Sequence, residues 1–189
     1  MIRKLGTMRG RRGTHVFRRL GTFAAMLVAL SAGLVGVAQP ASAGCGNVYI
    51  VNGYTGLVVS AELGYTGSLY GMLRARSGGV GPWEKFQRCI DPSNNVFTLK
   101  SLANNRYVSV EMNYTGSYKY MLRARSTTVG PWERFTLYGT SSYYMDAFRA
   151  NSNGLFVSTE MGYSGSNRYM LRARAASIGE WEIYRFGPL

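Results

Sequence analysis

The chain has 189 residues, of which 46% are hydrophobic and 16% charged, and its formal net charge at pH 7 is +13. This length allows one domain or two small ones, and the apolar and aromatic content excludes a wholly disordered chain or a collagen-like fibre. The single histidine is His15 and the only aspartates are Asp91 and Asp146, so few side chains are available for acid, base or metal chemistry.

The first 43 residues predict a cleaved export signal. Residues 1–22 contain seven basic residues and no acidic one, residues 23–38 are apolar, and Ala41-Ser42-Ala43 follows as a cleavage signal. The apolar stretch, about 16 residues, is shorter than the roughly 20 that a membrane-spanning helix needs. The Arg18-Arg19 pair leaves both the general secretory route and the twin-arginine route open. We therefore expect a secreted chain that begins at Gly44 and has no membrane association.

Removal of this leader changes the chemistry of the chain. The remaining 146 residues keep 15 of the 22 basic residues and all nine acidic ones, so the net charge falls to +6, and no histidine is left. The loss of histidine removes Ser-His-Asp and Cys-His catalysis and histidine-ligated metal sites, and we expect no cofactor and no metal. In an oxidising compartment Cys45 and Cys89 are expected to form a disulfide.

A period of 49 residues organises the chain after the leader. Met-Leu-Arg-Ala-Arg and, a few residues later, Gly-x-Trp-Glu each occur three times at this spacing. Three periods account for the 146 residues, so we expect one domain, residues 44–189, without a linker. The Met-Leu-Arg-Ala-Arg copies begin at Met72, Met121 and Met170, and the repeats cover about 44–91, 92–140 and 141–189.

Each repeat predicts four short strands. In the second repeat, runs rich in Val, Tyr, Phe and Thr are separated by Asn-Asn, Tyr-Thr-Gly-Ser and Val-Gly-Pro turn signals. Helical periodicity is absent, so about twelve strands are expected in an all-β fold. A closed three-fold barrel with a hairpin cap fits this pattern better than a three-bladed propeller. The four runs cover residues 96–101, 106–112, 120–126 and 133–137.

These motifs resemble the fascin-like β-trefoil repeat. The resemblance rests on Asn-Arg-Tyr-Val-Ser-Val-Glu at 105–111, Arg-Ala-Arg-Ser at 123–126 and Gly-Pro-Trp-Glu-Arg-Phe at 130–135, and it covers all three copies. In the third copy Tyr184 replaces the phenylalanine and Glu180 replaces the proline. The repeat is unlike the ricin type, which carries Gln two residues before the Trp. The resemblance implies a bacterial-type, lectin-like β-trefoil, although this fold does not by itself specify a function.

The polar residues that recur in all three repeats are the candidate ligand-binding residues. Sugars present apolar C–H faces and rings of hydroxyls, so a sugar site pairs an aromatic platform with carboxylate and guanidinium partners. The hairpin tyrosines are the favoured contact residues, because a large aromatic in a Tyr-Thr/Ser-Gly-Ser turn is not expected to be buried by its own strand. The full set is Glu62, Tyr65, Arg74, Arg76, Trp83, Glu84, Glu111, Tyr114, Arg123, Arg125, Trp132, Glu133, Glu160, Tyr163, Arg172, Arg174, Trp181 and Glu182.

A structural interpretation of the same residues is also open. Arginine and carboxylate pairs can tie each hairpin to its barrel strand, and this role is favoured for Glu84, Glu133 and Glu182, which lie beside Trp. A Trp three residues before a core Phe is often part of the core itself. Apolar residues kept in triplicate, such as Val108 and Leu122, are expected to be core.

Together these patterns predict a secreted, non-catalytic carbohydrate-binding protein. The twelve charges that recur in register cancel, so scattered positions carry the surplus of +6, which disfavours nucleic acid as a partner. A carboxylate pair such as Glu62 and Glu84 would suit a glycosidase, but its threefold repetition argues against catalysis. We expect a monomer with up to three equivalent sites for polysaccharide or another glycan. The alternative is a protein-binding β-trefoil that bundles actin as fascins do or inhibits a protease.

Overall fold

The computed structural model describes residues 44–140 and 144–189, and the predicted leader lies outside these residues. The described part contains twelve strands and six one-turn 3-10 helices. The strands are β1 (Gly44–Asn52), β2 (Val58–Glu62), β3 (Met72–Ser77), β4 (Phe86–Asp91), β5 (Val96–Ser101), β6 (Arg106–Val110), β7 (Leu122–Ser126), β8 (Phe135–Gly139), β9 (Asp146–Ala150), β10 (Phe156–Thr159), β11 (Leu171–Ala175) and β12 (Tyr184–Pro188). The 3-10 helices are Gly67–Leu69, Pro82–Glu84, Gly116–Tyr118, Pro131–Glu133, Gly165–Asn167 and Glu180–Glu182.

Six of the strands close into a barrel. β1 pairs with β4, β4 with β5, β5 with β8, β8 with β9, β9 with β12 and β12 with β1, and all of these pairs are antiparallel. The other six strands form the hairpins β2–β3, β6–β7 and β10–β11, which contact one another through single backbone bridges. A six-stranded barrel capped by three hairpins is the all-β, β-trefoil architecture that the sequence predicts.

The residues kept in triplicate form the core of this barrel. Val108, Leu122 and their counterparts in the other repeats are fully buried, as predicted. The rings of Phe97, Phe135 and Phe148 fill the barrel, with ring centroids 5.7 to 5.8 Å apart. Each fully buried ring of this size contributes about 1.5–3 kcal/mol. The period of 49 residues is therefore the spacing at which successive repeats reach the same layer of one shared core.

One predicted strand differs from the structure. The sequence predicts a strand over residues 133–137, whereas β8 begins at Phe135 and the residues before it form the 3-10 helix Pro131–Glu133. The reason is local, because the Glu133 carboxylate folds back and accepts a hydrogen bond from the Gly130 N–H at 2.7 Å. This turn removes Glu133 from the extended conformation that the predicted strand gives it.

The predicted disulfide between Cys45 and Cys89 is present. The two residues lie directly opposite each other in the β1–β4 pair, so the bond links the beginning of β1 to β4.

Replacing both cysteines by serine is expected to lower the free energy of unfolding by about 2–4 kcal/mol, because the closed loop gains conformational freedom in the unfolded chain. Urea denaturation of the Cys45→Ser, Cys89→Ser variant beside the oxidised protein measures this loss. A midpoint that does not move would contradict the prediction.

The third repeat carries a paired change in the core. Tyr184 takes the buried position of Phe86 and Phe135, and its hydroxyl is 3.0 Å from the Thr159 hydroxyl and 3.3 Å from the Trp181 carbonyl. Thr159 stands where the other repeats have alanine and valine. Burial raises the pKa of Tyr184, so the phenol stays protonated.

Thr159→Val is expected to destabilise the protein by about 1–2 kcal/mol, since the Tyr184 hydroxyl loses one of its partners in a buried position. In a Tyr184→Phe background the same substitution is expected to cost far less. A double-mutant cycle by urea denaturation measures this coupling, and equal losses in both backgrounds would show that there is none.

Candidate functional site

The hairpin glutamates are buried and paired with arginine. Glu111 follows β6, is 2% exposed, and accepts hydrogen bonds from both Nε and Nη2 of Arg125, the latter at 3.1 Å. The Arg123 guanidinium approaches the same carboxylate at 3.3 Å. In the other hairpins Glu62 accepts two hydrogen bonds from Arg76 and lies 3.9 Å from the Arg74 guanidinium. Glu160 accepts a hydrogen bond from Arg174 and one from Arg172 at 3.2 Å. Bidentate pairing of this kind fixes the guanidinium in one orientation.

The first arginine of each Arg-Ala-Arg motif binds the neighbouring hairpin. We call Arg74, Arg123 and Arg172 the inner arginines. The Arg123 guanidinium donates to the carbonyls of Tyr70 at 2.9 Å and Gly67 at 3.2 Å, which belong to the preceding repeat. The inner arginines of the other two repeats donate in the same way to carbonyls of other repeats, Arg74 to Arg168 in the third repeat and Arg172 to Lys119 in the second. These residues therefore hold the three hairpins together.

The hairpin tyrosines are more buried than their turn position predicts. The Tyr114 hydroxyl accepts a hydrogen bond from Arg123 at 2.6 Å, and Tyr65 and Tyr163 do the same with their own inner arginines. All three rings are half-buried and pack on a cluster of methionines, which was not predicted from the sequence. The signal was the first residue of the tripled Met-Leu-Arg-Ala-Arg motif. The cluster consists of Met72, Met121 and Met170.

The glutamates beside the tryptophans have a structural role, but the partners differ from the prediction. Among the described residues, Glu84 accepts hydrogen bonds from the Ser60 hydroxyl and from the Gly81 N–H at 2.8 Å, and not from an arginine. Glu133 and Glu182 accept equivalent bonds from the N–H group three residues earlier. These carboxylates are only 6 to 7% exposed, and a buried carboxylate needs hydrogen-bond partners. The N–H group of the turn supplies one such partner to each of them.

The tryptophans, in contrast, remain accessible. Trp83 is 36% exposed and Trp181 40%, whereas Trp132 is half-buried. The Trp83 ring lies beside Gly64 in the hairpin turn, 3.4 Å from where a Cβ would stand, which is an ordinary packing distance. Partial exposure of a large ring is the condition under which a tryptophan can serve as a platform for a ligand.

The second arginine of each motif is also partly exposed. We call Arg76, Arg125 and Arg174 the outer arginines; about 40% of each side chain is exposed. The hydrogen bond to Glu62 raises the pKa of Arg76 against the opposing effect of burial, and the charges of Glu62, Tyr65 and Glu84 add to the rise. We define the outer patch of a repeat as its tryptophan, outer arginine and hairpin tyrosine.

The three outer patches are not identical. A cavity of about 270 Å³ adjoins Tyr114 and is also lined by Asn113 and Tyr118, which belong to the second hairpin, and by Ser68 from the first. Asn113 has glycine as its counterpart in the other repeats, Gly64 and Gly162. The second patch therefore offers an amide group that the first and third lack.

Residues 44–140 and 144–189 contain neither a metal-binding cluster nor a membrane-spanning helix. No group of three or more His, Cys, Asp or Glu side chains in this part of the chain is arranged to hold a metal ion. The same part contains no helix with the length and apolar character needed to cross a membrane.

The barrel and its hairpin cap define a protein of the β-trefoil class, and comparison with known proteins agrees. No protein-family model matches the chain, and no curated protein matches it either. A designed three-fold symmetric protein, ThreeFoil, superposes with a TM-score of 0.62 at 17% identity, over 76% of this chain and 99% of its own. The agglutinin of Rhizoctonia solani gives a TM-score of 0.57 at 17% identity, over 80% of this chain and 100% of its own.

A third solved structure shows the same fold as part of a larger protein. The exo-β-1,3-galactanase 1,3Gal43A of Clostridium thermocellum matches with a TM-score of 0.61 at 9% identity, over 76% of this chain and 30% of its own. Likeness at such low identities establishes the β-trefoil fold and leaves the function to be argued from the site.

Proposed function

We propose that this protein is a non-catalytic, lectin-like protein that binds polysaccharide through its three outer patches. The observation that carries the proposal is that each repeat presents an outer arginine held in one orientation by its glutamate together with a tryptophan whose ring is exposed in the first and third repeats and half-buried in the second. A sugar ring stacks its C–H face on such an aromatic, while the guanidinium donates to two of its hydroxyls. An agglutinin among the fold neighbours supports this reading.

The buried residues of the predicted set serve this function indirectly. The hairpin glutamates orient the outer arginines, and the inner arginines hold the hairpins that carry the tyrosines. A guanidinium that is already fixed loses little side-chain entropy when it binds a ligand, so this scaffold raises the affinity of each shallow patch. The repeats themselves belong, we infer, to the fascin-like branch of the trefoils, on the strength of the Gly-x-Trp-Glu-x-Phe element.

Absence of catalysis is part of the proposal. A glycosidase needs two carboxyl groups that are free to act on either side of the scissile bond. Glu62 is held by Arg76, and Glu84 is held by Ser60 and the Gly81 N–H, so neither carboxylate is free to reach a substrate. Incubation with soluble polysaccharides is expected to release no reducing sugar, and sustained release would overturn this part.

Secretion is also part of the proposal. The disulfide between Cys45 and Cys89 supports an oxidising compartment, which agrees with the predicted leader and with an extracellular glycan as partner. We expect the secreted chain to act as a monomer, in which the three patches of one rigid body engage neighbouring units of a polymer.

Retention on insoluble polysaccharides tests the function directly. The secreted protein is mixed with glucan, chitin, xylan and peptidoglycan, and the fraction left in solution is measured over a range of solid concentrations. We expect saturable retention on at least one of them, reversed by soluble fragments of the same polymer. Failure to be retained on any of the four would refute the proposal.

A further inference from the structure

A second kind of cavity lies at the other end of the barrel. The hairpins follow the carboxyl ends of β1, β5 and β9. Asp146 lies at the opposite, amino end of β9, where it lines a cavity of about 480 Å³. Tyr49, Arg185 and Phe186 contribute to its walls. Its volume falls within the range of about 300–1,000 Å³ that small-molecule sites occupy, and it exceeds that of the cavity beside Tyr114.

Asp146 breaks the threefold pattern at a core position. Its counterparts 49 and 98 residues earlier are Phe97 and Val48, which are both buried apolar residues. Desolvation raises the pKa of Asp146, and the nearby Arg88 opposes this shift. A partly desolvated carboxylate costs stability, so its presence where the other repeats place core residues indicates a use other than folding.

The base of the cavity is rigid. The Phe186 ring packs edge-on against Phe97 and Phe148, with centroids 5.8 Å apart in both pairs. The Arg88 guanidinium lies over the same ring, 4.7 Å from its centroid. These contacts fix the Phe186 ring and the Arg88 guanidinium without using the hairpins.

Tyr49 supplies an aromatic wall. It is the register partner of Gly187 in the β1–β12 pair, and a Cβ at position 187 would overlap the Tyr49 ring. Glycine therefore allows the ring to lie close against the backbone of β12. Since Tyr49 also lines the cavity, part of the ring is available to a ligand.

The charges of this site restrict its ligand. Arg88 and Arg185 repel a cation, whereas the Asp146 carboxylate repels an anion placed near the base. A neutral molecule that donates hydroxyl hydrogens to Asp146 and lays an apolar face on Tyr49 satisfies both conditions. We propose that this cavity binds one neutral sugar residue and is a glycan site independent of the three outer patches.

Titration of the amide NMR spectrum of the secreted protein tests this site. The probes are glucose, galactose, N-acetylglucosamine and N-acetylgalactosamine at concentrations up to about 10 mM, which nearly saturates a site with a Kd of about 1 mM. At least one of them is expected to shift the amides of Tyr49, Asp146 and Gly187 saturably. No shift of these amides with any of the four sugars would overturn the proposal.

Variants separate this site from the outer patches. Asp146→Asn, which keeps the shape of the side chain, is expected to weaken the binding at least tenfold, whereas Asp91→Asn, at the other aspartate, leaves it unchanged. Equal affinity in the two variants would overturn the role of Asp146. Tighter binding of glucosamine or galacturonate than of any neutral sugar would overturn the assigned ligand class. Triple replacement of the three tryptophans by alanine is expected to leave this titration intact, so the two proposals fail separately.

Discussion

Arg123→Met is expected to lower the free energy of unfolding by about 3–5 kcal/mol, because it removes a buried guanidinium and leaves four hydrogen-bond acceptors short of a donor. Methionine preserves most of the apolar stem but none of the donors. The Glu111 carboxylate, the Tyr114 hydroxyl and the carbonyls of Gly67 and Tyr70 all lose a partner together. Since single domains are stable by about 5–15 kcal/mol in total, this is a large fraction of the whole.

Denaturation by urea measures the loss, and Arg106→Met is the matched control. Arg106 is an exposed arginine at the start of β6, so its replacement is expected to change stability by less than about 0.5 kcal/mol. Because Arg123 holds the hairpin of the preceding repeat, hydrogen exchange is also expected to accelerate at Tyr70. Equal stability of the two variants would contradict the role assigned to the inner arginines.

The architecture could be predicted from the sequence because the fold repeats at the scale of the chain itself. A period of 49 residues with the same apolar positions in each copy implies three units that share one core, and Val108 and Leu122 are buried as this requires. The disulfide could also be predicted from the sequence, since one pair of cysteines in an exported chain allows one pairing.

The contacts of the polar residues could not be predicted from the sequence in the same way. The carbonyl that Arg123 binds lies 53 residues away in the chain, and the pairing depends on how the hairpins meet at the three-fold axis. The Glu133 carboxylate has its partner three residues away, but recognising the bond requires the backbone turn at Gly130. Repetition identified which polar residues matter without showing whether each one holds a turn, a hairpin or a ligand.

The cavity at Asp146 was beyond the sequence for a different reason. Its walls come from β1 of the first repeat and from the third repeat, and β1 meets β12 because the barrel closes the first repeat against the last. Comparison of the repeats singles out the residues that all three copies share, whereas this cavity is built from residues that differ among the copies. The sign of this cavity in the sequence is that Asp146 stands where the other two repeats have Phe97 and Val48.

Loss of the tryptophans is expected to reduce retention on polysaccharide in steps. Trp83→Ala or Trp181→Ala alone should weaken retention only a few-fold, because two patches still hold the polymer, whereas the triple variant with Trp132→Ala should weaken it by about 100-fold or more. Depletion isotherms on the polymer that retains the parent protein measure these ratios. Each variant is first checked by thermal unfolding, since Trp132 is half-buried and its removal costs more stability than that of the exposed rings.

Tyr54→Ala is the control for nonspecific adhesion. Tyr54 is 54% exposed in the turn after β1, outside all three outer patches, so its loss removes exposed aromatic surface without touching them. Retention that falls equally in this variant and in a single tryptophan variant would argue for adhesion through any aromatic surface.

Asn113 and its adjoining cavity distinguish the second patch from the other two, so one patch could in principle carry the binding alone. If Trp132→Ala alone abolished retention while the protein remained folded, binding would rest on that patch and the argument from three-fold avidity would be wrong.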